Sequence, residues 1–443
     1  MKRILSALPL LLALAGCSGR ETPLPERIVL LGVDAADPRI LEALRSRGEL
    51  PHFDRLMREG VVMDLAVDPP LFSPRVWTTL LTGFHSDHHG VESFTLPVGE
   101  EGKRIPVTSN LVRRRRVWDI FGEAGIDVGV VGHWVTWPAE PVNGFLLSNY
   151  TWPPAHGFEK EWEPDASWDS IGARTWPEGL EETVGDAVGE ERYFREADFR
   201  GADRLDPALR HFLRKDLAFA NAGFALWEER RPRFFTLYLE STDFFPHRLW
   251  MFHRYYEATR HGGSMEGLPV PDPTPPDRMT ETLGPMVGET YRLADRVLGA
   301  VLERVDLSRD VVVVVSDHGF RTYGEGTEVH VGDERWMEIP FWHGETGLLI
   351  AAGPPFRRGA RGGAVRPEDL TPLLLAAAGL PVGRDMDGRV PEEALDRRFL
   401  RDHPVLRVAT YEKDEGMGSE ERPIESPFDD EVRDKLRALG YID

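Results

Sequence analysis

A single cysteine, Cys17, occurs in the 443 residues, so one copy of the chain cannot form an internal disulfide. Long apolar runs are equally scarce. Beyond the first twenty residues nothing approaches the ~20 apolar residues that a helix needs to cross a bilayer. Basic residues fall short of acidic ones, 53 against 74, and the formal net charge is −21. Such a surface repels phosphate backbones, so no nucleic-acid-binding surface is expected. The sequence shows no internal repeat and no low-complexity tract. What remains is a chain of globular composition, with 41% hydrophobic residues, long enough for one large domain or two. Its one basic block, Arg113 to Arg116, reads as a solvated helix start, with a phosphate or headgroup contact as the alternative.

The first twenty residues are a targeting segment. Lys2 and Arg3 precede an apolar stretch, Ile4 to Leu14, too short to span a membrane comfortably. It runs into Leu14-Ala15-Gly16-Cys17, which has the form of a bacterial lipobox cleaved just before the cysteine. A lone cysteine at that point is a lipid attachment site. Ser18 follows it, where an aspartate would argue for inner-membrane retention, so the expected location is the outer membrane, facing the periplasm.

Gly19 to Glu26 is a short tether, followed by the apolar run Ile28 to Val33 ending at Asp34. Runs of this kind suit strands buried on both faces. Further strands are expected at Val128–Val131, Phe234–Leu239, Val311–Val315 and Leu348–Ala351, with helical patterns between them. Asp206-Pro207 is a cap and first-turn pair for one helix, and a second runs through Tyr291, Val297 and Val301. Strands alternating with helices make the expected fold class α/β, with a largely parallel central sheet flanked by helices. Residues 146–204 are rich in Trp, Pro and charge with weak periodicity, which suggests a cap insertion. Residues 252–282, with a proline cluster from Pro269 to Pro276, read as a loop. The last forty residues read as a tail ending in a short helix, Asp430 to Leu439.

Four of these strand runs stand beside residues of metal-ligand type. The first ends at Asp34. The Phe234 run leads to Asp243, with His247 four residues on. The valine run ends in Ser316-Asp317-His318-Gly319, and His343 precedes the Leu348 strand. Ligands of open parallel sheets gather at the carboxyl ends of strands. Mixed His and Asp donors without thiolates suit zinc or another borderline divalent ion. A nucleophile is offered by Ser73, expected as the cap of a helix that starts Ser73-Pro74 and closes at Gly83. That position sets its hydroxyl beside free backbone N–H groups, a natural place for a phosphate.

In these motifs the chain resembles the alkaline phosphatase superfamily, close to its type I phosphodiesterase/nucleotide pyrophosphatase branch. The residues that carry the resemblance are Gly32-Val33-Asp34, Ser73-Pro74 through Thr82-Gly83, Ser241-Thr242-Asp243 with His247, Ser316-Asp317-His318-Gly319, and His343 ahead of Ala352-Gly353-Pro354, in the family's order. The resemblance implies two divalent ions, with zinc the first choice. One would be held by Asp34, Asp317, His318 and the nucleophile Ser73, the other by Asp243, His247 and His343. It implies hydrolysis of a phosphate ester, preferably a diester, through a phosphoseryl intermediate, since a bound dication favours a serine alkoxide. Asn110 stands in roughly the place of an asparagine that contacts a phosphoryl oxygen in the phosphodiesterase branch, though the spacing differs. The implied division is a signal peptide over 1–16, a tether over 17–26, a catalytic domain over 27–400 and a tail over 401–443.

The departures are informative. This phosphodiesterase group often carries threonine where Ser73 stands. Sulfatases need Cys or Ser followed by x-Pro-x-Arg, whereas here Pro74 directly follows Ser73, so sulfatase ranks low, as does phosphomonoesterase. His330 rivals His343 as last ligand; the Gly-rich strand pattern after His343 favours the latter. The same site could serve a phosphoryl or headgroup transferase. A binding protein that had lost turnover would lack a ligand or the nucleophile, and every position is filled.

Overall fold

A computed structural model describes residues 21–98, 103–151, 172–262, 277–322, 327–331, 334–338, 341–413, 422–426 and 429–438. The signal segment and Cys17 lie outside the described residues. Nine strands form the central sheet: β1 (Ile28–Val33), β2 (Val61–Ala66), β3 (Val128–Val131), β4 (Gly144–Leu147), β5 (Thr175–Trp176), β6 (Phe234–Leu239), β7 (Val311–Ser316), β8 (Thr346–Ala352) and β9 (Ala360–Val365), in the order β9-β2-β8-β7-β1-β6-β3-β4-β5. Seven of them run one way. The edge strand β5 and the interior strand β8 run the other way. The sheet is mixed and mostly parallel, as the sequence pattern implies. What the pattern does not reveal is the reversed strand inside it.

The apolar runs become strands because both faces are covered. In β1, Ile28 and Leu30 join one core cluster while Val29, Leu31 and Val33 join the other; in β7, Val311, Val313 and Val315 oppose Val312 and Val314 in the same way. The first face packs against the helices Ser73–Thr82, Val117–Glu123 and Leu370–Ala377. The second carries Pro38–Ser46, Pro51–Glu59, Pro207–Arg230, Ser241–His261 and Asp277–Arg304. Gly32 is required by the first packing, since a Cβ there would lie 2.7 Å from the Trp77 ring.

Two expectations need correction. Residues 252–261 and 277–282 are helical, belonging to Ser241–His261 and Asp277–Arg304. The expected loop shrinks toward its proline cluster, which lies outside the described residues. The helix pattern was hidden there because Met251, Phe252 and Tyr255 bury one face amid charged neighbours. Of the expected cap insertion over 146–204, residues 152–171 lie outside the described residues. Thr175–Trp176 extends the sheet, and Phe194, Phe199 and Leu205 are buried in its second core. Finally, Ser73 is the first helical residue of Ser73–Thr82, and Phe72 occupies the cap position.

Asp206 does cap the helix Pro207–Arg230, accepting from the Leu209 amide. The basic block is structural. Arg116 is buried and bonds Glu140 and the carbonyls of Ser109 and Val135. Arg115 pairs with Glu123, and the Arg114 guanidinium sits 4.7 Å over the Phe84 ring.

Candidate metal centre

The parallel strands deliver their carboxyl ends to one edge, and the candidate residues assemble there. Asp34 follows β1, Asp317 and His318 follow β7, and Asp243 and His247 lie on the first turns of the helix that follows β6. His343 reaches the same edge from the opposite direction, because β8 runs backwards from Thr346. It lies in the short strand Phe341–Gly344, paired antiparallel with Gly319–Thr322, so that Phe320 stands opposite His343.

Two groups of donors emerge, Asp34 with Asp317 and His318, and Asp243 with His318 and His343. In each, the donor atoms lie within 4.8 Å of one another. His318 is common to both. Its Nε2 is 3.3 Å from Asp317 Oδ2 and 3.8 Å from Asp34 Oδ1. His343 Nε2 is 3.3 Å from Asp243 Oδ1. His247 joins them, with Nε2 3.4 Å from Asp243 Oδ1 and 2.9 Å from His343 Nε2. The structure thus brings together Asp34, Asp243, His247, Asp317, His318 and His343.

The donor chemistry fits divalent cations. Asp34 Oδ1, Asp317 Oδ2 and His318 Nε2 are buried and hydrogen-bond to none of the described residues, an arrangement that costs free energy unless an ion completes it. The ring nitrogens are aimed. His343 Nδ1 lies 2.7 Å from the Leu71 carbonyl and His318 Nδ1 lies 3.2 Å from that of Gly319. Each Nδ1 therefore carries the hydrogen and leaves the Nε2 lone pair turned inward.

Electrostatics tell the same story. Burial, then the charges of Asp317 and Asp243, push the Asp34 carboxyl well above its usual range, and burial raises Asp317 to about 6. Burial also holds the His318 imidazole well below its usual range. At Asp243 burial pushes upward, but the imidazoles of His247 and His343 outweigh it and hold the carboxyl well down. Carboxylates crowded in a dry space call for positive charge between them.

Ser73 is buried at the first position of its helix. Leu71, two residues earlier, is the partner of His343 Nδ1, so the Ser73 turn and that imidazole are fixed to each other. Arg75 does not share the site. Its guanidinium bonds Ser86 and the carbonyls of Asp68 and Pro70. Asn110 has a different set of partners. Its amide accepts from Thr108 and donates to the carbonyl of Arg422, in the C-terminal segment. His330 falls in the strand Thr327–Val331, and its side chain lies outside the described residues. Of the aromatic residues near these motifs, Trp77, Phe244 and Phe245 are core, whereas Trp342 is partly exposed and stacks on His343.

Several residues of the site escaped the motif reading. Tyr238, buried in β6, donates its hydroxyl hydrogen to Asp34 Oδ2 and accepts from Trp134 Nε1 at 2.7 Å. Burial, then the Asp34 charge, raises its phenol far above the usual range, so it remains a donor. Asp216 accepts from the amides of Glu240 and Ser241 at 2.8 and 2.9 Å, fixing the turn that starts the helix of Asp243 and His247. Asp37 accepts from the Phe320 amide and the Arg39 side chain, tying the His343 ribbon to the β1 exit. A signal existed for Asp216, a charge on the stripe Leu213, Leu217, Ala220 that otherwise reads as apolar.

The model of one protein family, described as type I phosphodiesterase / nucleotide pyrophosphatase, matches residues 28–362. A second, the prokaryotic membrane lipoprotein lipid attachment site, matches residues 1–18. No curated protein matches the chain. Among solved structures, a murine ectonucleotide pyrophosphatase/phosphodiesterase 5 aligns at 15% identity and a TM-score of 0.46, over 84% of this chain and all of that one. A phosphonoacetate hydrolase from Sinorhizobium meliloti 1021, in complex with phosphonoformate, aligns at 17% identity and a TM-score of 0.41. It covers 69% of this chain and 59% of that one.

Proposed function

The chain belongs to the type I phosphodiesterase/nucleotide pyrophosphatase family, and from that premise we propose that it is a two-metal phosphodiesterase with Ser73 as nucleophile. The observation that supports this most directly is the shared His318, whose buried Nε2 stands between two groups of donors. Asp34, Asp317 and His318 would hold one ion together with Ser73, and Asp243, His247 and His343 the other. Nitrogen and carboxylate donors without thiolate favour zinc. When bound, such ions lower the pKa of a coordinated hydroxyl or water and balance charge on the transferring group.

Ser73 attacks the phosphorus with its Oγ. The new P–Oγ bond forms as the bond to the leaving alcohol breaks, and the alcohol departs with a proton. A water oxygen then attacks the phosphoseryl phosphorus, the P–Oγ bond breaks, and Ser73 regains its hydrogen. Asp243, His247 and His343 would hold the second ion, whose positive charge would stabilise the leaving oxygen and lower the pKa of the entering water. A diester carries one negative charge, a monoester dianion two. Arg75, the cation nearest Ser73 in sequence, is committed to Asp68 and Pro70, which favours the diester. Export and lipidation through Cys17 follow from the lipoprotein signal; Ser18 beside it favours the outer membrane, facing the periplasm.

Rapid acid quenching during turnover of bis-p-nitrophenyl phosphate, followed by peptide mass spectrometry, tests the mechanism. Phosphate should appear on Ser73. Unchanged turnover by Ser73→Ala would refute the assignment.

A further inference from the structure

The direction of β1 relates the lipid anchor to the catalytic edge. The strand starts at Ile28 and delivers Asp34 to the site, so residues 21–27 lie at its far end. Among the described residues, the hydrogen bonds of that segment run to the amino edge of the sheet. The Glu26 amide donates to the Arg309 carbonyl, and its carboxylate pairs with the Arg309 guanidinium, two residues before β7 begins. The Ile28 amide donates to the carbonyl of Arg233, just before β6. Thr22 donates twice to Asp402, and its carbonyl accepts from His403. These residues end the helix Arg397–Asp402, which is tied through Asp396 to the Pro355 carbonyl, beyond the end of the reversed strand β8. The chain is therefore fastened to the amino edge as far back as Thr22.

Cys17 lies five residues before Thr22, and five residues span at most roughly 17 Å. The six residues of β1 alone rise roughly 20 Å toward the catalytic edge. The lipid-bearing residue cannot reach the plane of the site, and the net charge of −21 keeps the body off an anionic bilayer. We infer that the lipid on Cys17 holds the domain by its amino edge with the metal centre turned away from its own membrane, so that its substrates are phosphate esters dissolved in water and not the phospholipids of that bilayer. The substrate clause rests on the phosphodiesterase reading; the orientation does not.

Cys17 is the only native cysteine and is lipidated, so an introduced thiol can be labelled alone. Asp68, exposed just beyond the carboxyl end of β2, and Arg397, exposed at the amino edge, are suitable positions. The full lipidated chain, as Asp68→Cys or Arg397→Cys carrying a fluorophore, is inserted into phosphatidylcholine vesicles containing a headgroup nitroxide quencher. Quenching should be several-fold stronger at 397 than at 68. Equal quenching, or the reverse order, overturns the orientation. In the same vesicles the unlabelled protein should cleave added bis-p-nitrophenyl phosphate and leave the host lipid intact. Cleavage of host phosphatidylcholine at a comparable rate overturns the substrate inference. If neither ester is cleaved, the phosphodiesterase reading falls while the quenching result still decides the orientation.

Discussion

The two edges of the central sheet are built on opposite principles. At the carboxyl edge, carboxylates and imidazoles are buried and crowded, with donor atoms that no described residue hydrogen-bonds. At the amino edge, charged groups such as Glu26 and Arg309 are more than half exposed and already paired. The first edge is expensive and suits a cation; the second is cheap and serves as a fastening. Substitutions should therefore have very different consequences at the two edges.

The sharpest break is expected at Ser73. Ser73→Ala should lower turnover of bis-p-nitrophenyl phosphate by at least about a thousandfold, because the covalent route disappears. Circular dichroism and melting temperature should be unchanged. Removal of metal by exhaustive chelation should have a comparable effect, reversed by zinc, with two ions per chain by elemental analysis. A single ion would contradict the two-group geometry. His343→Ala should cost one ion, whereas His330→Ala should cost none; metal loss in the second variant instead would reassign the last ligand.

A smaller effect is expected at Tyr238→Phe. Removing the hydroxyl that holds Asp34 Oδ2 should weaken metal binding by about 10–100-fold, read by competition with a chelating dye. Unaltered affinity would reduce Tyr238 to a packing residue.

Asp216 should give this edge a pH dependence. Burial raises its folded pKa to about 6, above the ordinary 3.8 of an exposed aspartate. The folded state then holds a proton that the unfolded state has released, so this contribution to stability is full below about 3.8 and is lost as pH rises through 6. The change is about 3 kcal/mol across that window. Urea unfolding between pH 5 and 7.5 should show a smaller decline for Asp216→Asn than for the wild type, and parallel curves would remove the assignment.

The mildest outcome belongs to the amino edge. Arg309→Ala breaks an exposed pair with Glu26 and should leave turnover, metal content and melting temperature unchanged. A loss of metal in that variant would erase the contrast between the edges.

The strands and the residues of the candidate cluster were legible in the sequence because both rest on local signals. A run such as Val311 to Val315 needs burial on both faces, and an aspartate or histidine at its end has little structural reason to be there. The reversed direction of β8 was not legible, since direction depends on which neighbours a strand pairs with. Matching by spacing could not foresee that the Asn110 amide bonds Thr108 and the Arg422 carbonyl. Tyr238 and Asp216 act through hydrogen bonds across the fold, which no local pattern records. In 252–282 the prolines signal a loop more strongly than Met251, Phe252 and Tyr255 signal the helix that they continue.

The short ribbon Gly319–Thr322 with Phe341–Gly344 has a consequence for the uniformity of any preparation. Side chains on a strand alternate between faces, so pairing one residue out of step would present Trp342 or Gly344 where His343 now stands. Gly319 and Gly344 face each other across the ribbon, and a Cβ at Gly344 would lie 3.0 Å from the Phe320 carbonyl oxygen. A molecule paired out of step would keep its sheet and its two cores but lose a ligand. On the two-metal reading, folded chains would then divide into two mass classes, fully loaded and one ion short, that native mass spectrometry would count and that optical measures of folding would not distinguish.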